Sequence, residues 1–317
     1  MSRSKRAAQG NASPAPIQRE KPIGGSSKKA QTAALLAMSL LCYAIMALAM
    51  RWGLGRGFAA LFEVWNLNMQ NARRAPAWAR LLYVWHGSVV SLAVSAATLA
   101  LCRWLRRLWG SAGSARFAWR GFGGAALIGL IGAILVAALC LIPDSMRLYW
   151  PLTAPKLSLA ALWLCGISFA AVTAQASFAM RVMYDGLLPR WGRGWAVAVA
   201  SLTLFLSNGG WRGGPVGALN AVLMGLLCAV AYDGYGLWTT VGFLWSWNTA
   251  VNVLFGFGAG ETAVYRLYSV SEALLTGGDA GFDCGLWTTL LLTAGTAWLF
   301  WRAYMKQDMV CAGRGDA

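Results

Sequence analysis

Runs of about twenty apolar residues recur along this chain, separated by short stretches that hold most of its arginine, lysine and proline. A helix needs about 20 such residues to cross the hydrocarbon of a bilayer. Backbone N–H and C=O groups cannot be left bare in lipid, so runs of this length predict helices. Eight windows qualify: 32–50, 81–102, 122–142, 157–180, 194–211, 215–232, 237–257 and 285–303. The sixth is weakest at its start, where Gly213, Gly214, Pro215 and Gly217 crowd together. No series of short alternating segments suggests an outer-membrane barrel. The expected fold is all-α, a polytopic transmembrane helix bundle of about eight spans.

Between the first two windows lies FAALFEVWNLNMQNARRAPAW. Phe58, Leu61, Phe62, Trp65 and Met69 recur at helical spacing, with Glu63, Asn66, Asn68, Gln70 and Arg73 around them. This pattern predicts an interfacial helix, with a loop packed on the bundle as the other reading. The expected organisation is a disordered basic tail over 1–30, then three transmembrane helices with the interfacial segment over 31–150. A four-helix core over 151–260 follows, then an acidic extracytoplasmic loop over 261–284, and a last transmembrane helix and tail over 285–317.

Composition agrees with a membrane protein. Of 317 residues 58% are hydrophobic and 12% charged, with mean hydropathy +0.53; soluble domains carry about 25% charged residues. The formal charge of +16 would point to nucleic acid in a soluble protein. Here the basic residues lie between apolar runs and no RNA- or DNA-binding motif accompanies them. They read as topology signals and contacts with anionic headgroups, with no nucleic-acid partner. Placing the N-terminus in the cytoplasm puts the seven basic residues before the first window on that side. It also puts Arg103, Arg106, Arg107, Arg116, Arg120, Arg190, Arg193, Arg302, Lys306 and Arg314 there. Both termini are expected inside a bacterial-type inner (plasma) membrane, although Arg51–Arg80 hold five opposing charges. The seven cysteines form no CxxC pair and His86 is the one histidine, so no metal site and no cofactor are expected.

Candidate chemistry begins with Asn248, an amide inside the apolar stretch VGFLWSWNTA. A buried amide must find partners, and bonding to another helix is its simplest role. The longer stretch NAVLMGLLCAVAYDGYGLWTTVGFLWSWN, from Asn220, resembles the last motif block of the CPBP family, the CAAX-protease and bacteriocin-processing intramembrane proteins. Gly225, Gly236, Leu237, Trp238, Gly242, Phe243, Trp247 and Asn248 fall in matching places. The family's histidine, one helical turn before its asparagine, is replaced by Leu244. Its EExxxR motif is matched by TAQASFAMRVMYDGLLPR, with Arg181 in place and Ala176 and Ser177 where the two glutamates belong. Its FxxxH motif is matched by LFLSN, with Leu204 for the aromatic and Asn208 for the histidine. The resemblance covers about residues 157–257 and implies a CAAX-protease-like core.

In that family the glutamate pair activates a water for peptide-bond attack, and the resemblance implies that this chain has lost the machinery. Alanine and leucine accept no proton, and a serine hydroxyl is a poor base without a neighbour. Loss of a general base alone lowers a rate by about 10²–10⁴-fold. The chain therefore resembles a pseudoprotease with no catalytic residue, whose vestigial pocket comprises Ala176, Ser177, Arg181, Asn208, Leu244 and Asn248. Asn252 and Asp185 are further polar candidates for that pocket. Two readings of these groups stand: they line a pocket, or they satisfy one another and fix helix register. Asp185, four residues after Arg181, reads as its ion-pair partner or as a displaced acid. His86 reads as a buried hydrogen-bonded group or a catalytic one. The expected function is a non-catalytic subunit, chaperone or regulator that binds another membrane protein. The alternatives are a CAAX-type endopeptidase with an altered site and a small transporter or lipid-handling protein. A transporter should show internal repeats, and none is evident.

Overall fold

Each of the eight apolar windows overlaps a helix. The computed structural model describes residues 26–65, 76–111, 117–142, 144–148, 158–207, 214–257, 263–270 and 273–302. In it α1 (Ser26–Val64), α2 (Ala77–Trp109) and α3 (Trp119–Leu141) precede a helix in three parts. These are α4 (Leu159–Ala176), a π-helical stretch (Ser177–Tyr184) and α5 (Asp185–Trp191). Then come α6 (Arg193–Ser207), α7 (Gly214–Tyr235), α8 (Leu237–Thr249) with a second π-helical stretch (Ala250–Leu254), α9 (Ala273–Thr276) and α10 (Leu286–Phe300). Among the described residues five helical units are long and apolar enough to cross a bilayer: Lys28–Val64, Trp85–Trp109, Trp119–Leu141, Leu159–Trp191 and Gly214–Tyr235. Arg193–Ser207 and Leu286–Phe300 are apolar but shorter. Large apolar side chains such as Leu48, Trp52, Ile128, Leu162 and Leu290 stand exposed on these helices, as lipid-facing positions do.

Several expectations change. Phe58, Leu61 and Phe62 do not form a separate interfacial helix, because α1 continues unbroken to Val64. Met69 and the basic group after it lie outside the described residues, as do residues 1–25 of the expected tail. Helix already occupies 26–30, where Ser and Lys present no breaker. The loop between α8 and α10 carries β2 (Leu267–Ser269), which pairs antiparallel with β1 (Met146–Leu148). Asp144, at φ 54°, leads into this ribbon, and Arg147 donates to both its carboxylate oxygens at 3.0 and 2.6 Å. That contact holds the exposed Asp144 carboxyl below its ordinary range.

Small residues let helices approach. A Cβ on Gly242 of α8 would lie 2.3 Å from the Phe122 carbonyl of α3. One on Gly129 of α3 would lie 2.7 Å from the Phe243 carbonyl of α8. Gly225 of α7 sits as tightly on Ser201 of α6, at 2.5 Å from its carbonyl. Helix association in lipid depends on such backbone proximity, since lipid tails solvate apolar side chains as well as a neighbouring helix does. Trp245 adds one polar tie, donating from Nε1 to the Cys165 carbonyl of α4 at 2.9 Å.

Gly242→Ala is expected to lower stability by about 1–3 kcal/mol through overpacking, read as a fall in Tm of detergent-solubilised protein. Gly123→Ala, whose added carbon meets nothing within 4 Å, is expected to leave Tm unchanged or raised.

Candidate functional site

The tripeptide Tyr-Asp-Gly occurs twice, at 184–186 and 232–234. The first copy ends the π-helical stretch and opens α5; the second lies in the last turn of α7. They meet, and they exchange partners. Tyr232 donates its hydroxyl to Asp185, 2.8 Å from either carboxylate oxygen. Tyr184 donates to Asp233. The two phenol rings pack edge to face at 5.2 Å. Arg193, at the start of α6, donates Nε to Asp233 at 2.5 Å. Beyond each copy the chain reverses at a glycine of nearly the same backbone conformation: Gly192 (φ 83°, ψ 176°) and Gly236 (φ 86°, ψ −179°). Positive φ of this kind favours glycine. Each unit is thus a helix, a Tyr-Asp-Gly, a glycine reversal and a second helix. The first helix of each unit packs on the second helix of the other, α4 on α8 and α7 on α6. That exchange interlocks the two hairpins.

Sequence reading missed this repeat because three residues are too short to register among apolar neighbours. Asp233 lies within α7, which runs on to Tyr235. Asp185 accepts from Tyr232 and lies within electrostatic range of Arg181 and Arg106, so its neighbours include more than the Arg181 expected for it. Trp109 closes the same end. Its Nε1 donates to Ser39 Oγ of α1 at 3.0 Å, and Arg190 lies over its ring at 5.0 Å. Gly186 is required beneath it, since an added Cβ would lie 2.5 Å from the indole.

The positions singled out by motif fall just past this clasp. Ala176 and Ser177 are buried where α4 widens into the π-helical stretch, and Arg181 is half-buried on it. Ala176, Leu204 and Leu244 fall in one contiguous buried apolar cluster with Val172, Phe178 and Val241. Asn208 lies outside the described residues. Among the described residues the Asn248 side chain makes no hydrogen bond to another helix. It is half-buried, and its backbone carbonyl accepts from Nδ2 of the exposed Asn252 at 2.9 Å. The second π-helical stretch starts two residues after it. Wide turns of this kind recur at functional sites, and both occur beside a motif position.

The amide that joins helices is Asn220. It is buried, donates Nδ2 to the carbonyls of Asp283 and Gly285 at 2.9 Å each, and accepts from Thr289 Oγ1 at 2.6 Å. All its capacity save one lone pair is used. It ties α7 to α10 and to the turn Phe282–Cys284. Its neighbour Asp283 is buried, and that burial outweighs the hydrogen bonds around it and pushes its carboxyl up to about 6 from 3.8.

A cavity of about 390 Å³ lies elsewhere, between α1, α2 and α4. His86 lines it, with Arg51, Tyr43, Ser91, Thr98 and Gln175. The His86 ring is half-buried against Phe62 at 5.3 Å and Phe58 at 5.9 Å, and Nδ1 donates to the Tyr83 carbonyl at 2.6 Å. Among the described residues no cluster of His, Cys, Asp or Glu could hold a metal. No protein-family model, no curated protein and no solved structure matches the chain.

Tyr232→Phe and Tyr184→Phe each remove one donor to a carboxylate, a loss of about 1.5–3 kcal/mol. Denaturant unfolding in mixed micelles should show both as destabilised and their double mutant as non-additive, with the exposed Tyr235→Phe unchanged. Asp283 generates a pH effect. Its folded pKa lies above the unfolded value, so the native state holds the proton more tightly. Stability is therefore lost as pH rises from about 4 to beyond 6, by on the order of 3 kcal/mol. Asp283→Asn should abolish that part of the slope, measured as the wild-type minus variant difference in Tm against pH.

Proposed function

We propose that this multi-pass membrane protein is a non-catalytic relative of the CPBP type that works by binding another membrane protein. The observation that carries the reading is the apolar closure at Ala176, Leu204 and Leu244. Where the resemblance places a carboxylate (Ala176), an aromatic ring (Leu204) and an imidazole (Leu244), aliphatic carbons fall in one buried cluster. Such a centre holds helices in place and offers nothing to activate a nucleophile. The two π-helical stretches are the inherited irregularity, and the Tyr-Asp-Gly clasp keeps the helices assembled. The remaining finer features belong to the same proposal. Eight crossings complete the bundle, and the arginine-rich end, with Arg103, Arg106, Arg107, Arg190 and Arg193, faces the cytoplasm with both termini. Anionic headgroups of an inner membrane lie against it.

The partner surface is the outer face of α1. Leu41, Ile45, Leu48 and Trp52 stand 58–68% exposed at intervals of four, three and four residues. That is the spacing at which one helix interlocks with another. Arg56 covers the Trp52 ring at 5.1 Å and closes the stripe.

Full-length protein in liposomes is expected to cleave neither a prenylated nor a transmembrane peptide. Turnover by homogeneous protein that disappears in Ser177→Ala or His86→Ala establishes the peptidase alternative instead. Ile45→Gln with Leu48→Gln should reduce recovery of a stoichiometric membrane partner about tenfold or more, while Leu290→Gln on α10 leaves it intact.

A further inference from the structure

The slot between α1, α2 and α4 has a direction. On α2 its lining runs from His86 and Gly87 through Val90, Ser91, Val94 and Ser95 to Thr98. Twelve residues of helix are about 18 Å. On α1 it runs the opposite way, from Gly55 and Arg51 at the His86 end to Tyr43 at the other. Trp85 meets Trp163 at 6.4 Å near the starts of both helices, and Thr98 and Gln175 line the slot farther along each, so α4 runs parallel to α2. Gln175, twelve residues beyond Trp163, therefore stands level with Thr98 and floors the slot.

Charge and polarity differ along that length. The mouth carries a guanidinium, Arg51, which is exposed, and among the described residues the lining contains no carboxylate. His86 has Nδ1 committed to Tyr83, and among the described residues Nε2 makes no hydrogen bond. Farther in, Ala47, Val90 and Val94 alternate with hydroxyls whose protons are turned away. Ser95 donates to the Ser91 carbonyl at 2.7 Å and Thr98 to the Val94 carbonyl at 2.8 Å. What faces the slot there is mostly carbon. The volume falls within the range of about 300–1,000 Å³ of small-molecule sites.

We propose that this slot binds an anionic glycerophospholipid drawn from the bilayer, with its phosphate at Arg51 and His86 and one acyl chain laid along Ala47, Val90 and Val94. The Tyr43–Thr98–Gln175 floor limits how far the chain reaches. A cationic mouth without a counter-charge selects an anionic head, and a carbon-lined channel of hydrocarbon depth accepts a chain. The inference goes beyond the partner-binding reading and uses none of the residues on which that reading rests.

The test uses the full chain in neutral detergent. Native mass spectrometry reads lipid adducts after addition of dioleoylphosphatidylglycerol or dioleoylphosphatidylcholine at equal concentration. The phosphatidylglycerol adduct should predominate and raise Tm, and Arg51→Gln should weaken that preference about tenfold. Gly87 lines the slot, and a Cβ added there meets nothing within 4 Å, which leaves the slot itself as the space for a longer side chain. Gly87→Leu should therefore fill the slot and lose the adduct while keeping the lipid-free Tm of the wild type. Leu48→Ala, on the outer face of α1, should retain the adduct. Equal occupancy by the two lipids overturns the proposal, as does a wild-type adduct level in Gly87→Leu. Full displacement of the lipid by inorganic phosphate also overturns it, because the site would then be one for a free anion.

Discussion

Inside a bilayer an apolar side chain gains little by moving from lipid to a neighbouring helix, so this bundle rests on close backbone approach and on polar groups that find one another. Both devices are concentrated in the inner helices. Gly242 and Gly129 bring α8 and α3 together, and Gly225 does the same for α7 and α6. Where the backbones approach, dispersion contacts accumulate across the whole crossing. The outer helices, α1 above all, contribute breadth and a lipid-facing surface.

The reciprocal tyrosine–aspartate clasp is the polar counterpart of those crossings. Two carboxylates and two phenols at one end of the bundle would each be costly if unpartnered. Exchanged between two hairpins, each carboxylate gains a donor that its own helix could not supply. The clasp therefore specifies which hairpin pairs with which. The opposite end is held by a different polar node, Asn220 with Thr289 and the carbonyls of Asp283 and Gly285. Between the two lies the apolar cluster around Ala176 and Leu244.

The two asparagines show how far a single residue can be read from sequence. Asn248 stood out because its neighbours are bulky and oily, yet among the described residues its side chain makes no interhelical bond. Asn220 attracted notice only as the start of a motif block, yet it is the amide that joins helices. The difference is which face of each helix turns inward, and runs apolar on every side carry no such information. His86 is similar. A lone histidine in an apolar run raises both a structural and a chemical reading. The structure gives its ring an aromatic setting, its Nδ1 a carbonyl, and its edge a cavity.

Sequence by itself determined the class of the molecule, because hydrocarbon thickness and the need to satisfy backbone groups dictate the length and apolarity of any spanning helix. It also determined where the chain turns, since glycine, proline and arginine collect there. It did not determine that α1 runs unbroken to Val64, that α4 widens at Ser177, or that two Tyr-Asp-Gly units meet. Those depend on contacts between residues 48 positions apart (Tyr184 and Tyr232), and no local pattern encodes which distant partner a phenol will find. Tertiary structure alone decided that Ala176, Leu204 and Leu244 close on carbon while the open volume forms between α1, α2 and α4. The reason is geometric: an interior void is set by how three helix faces diverge.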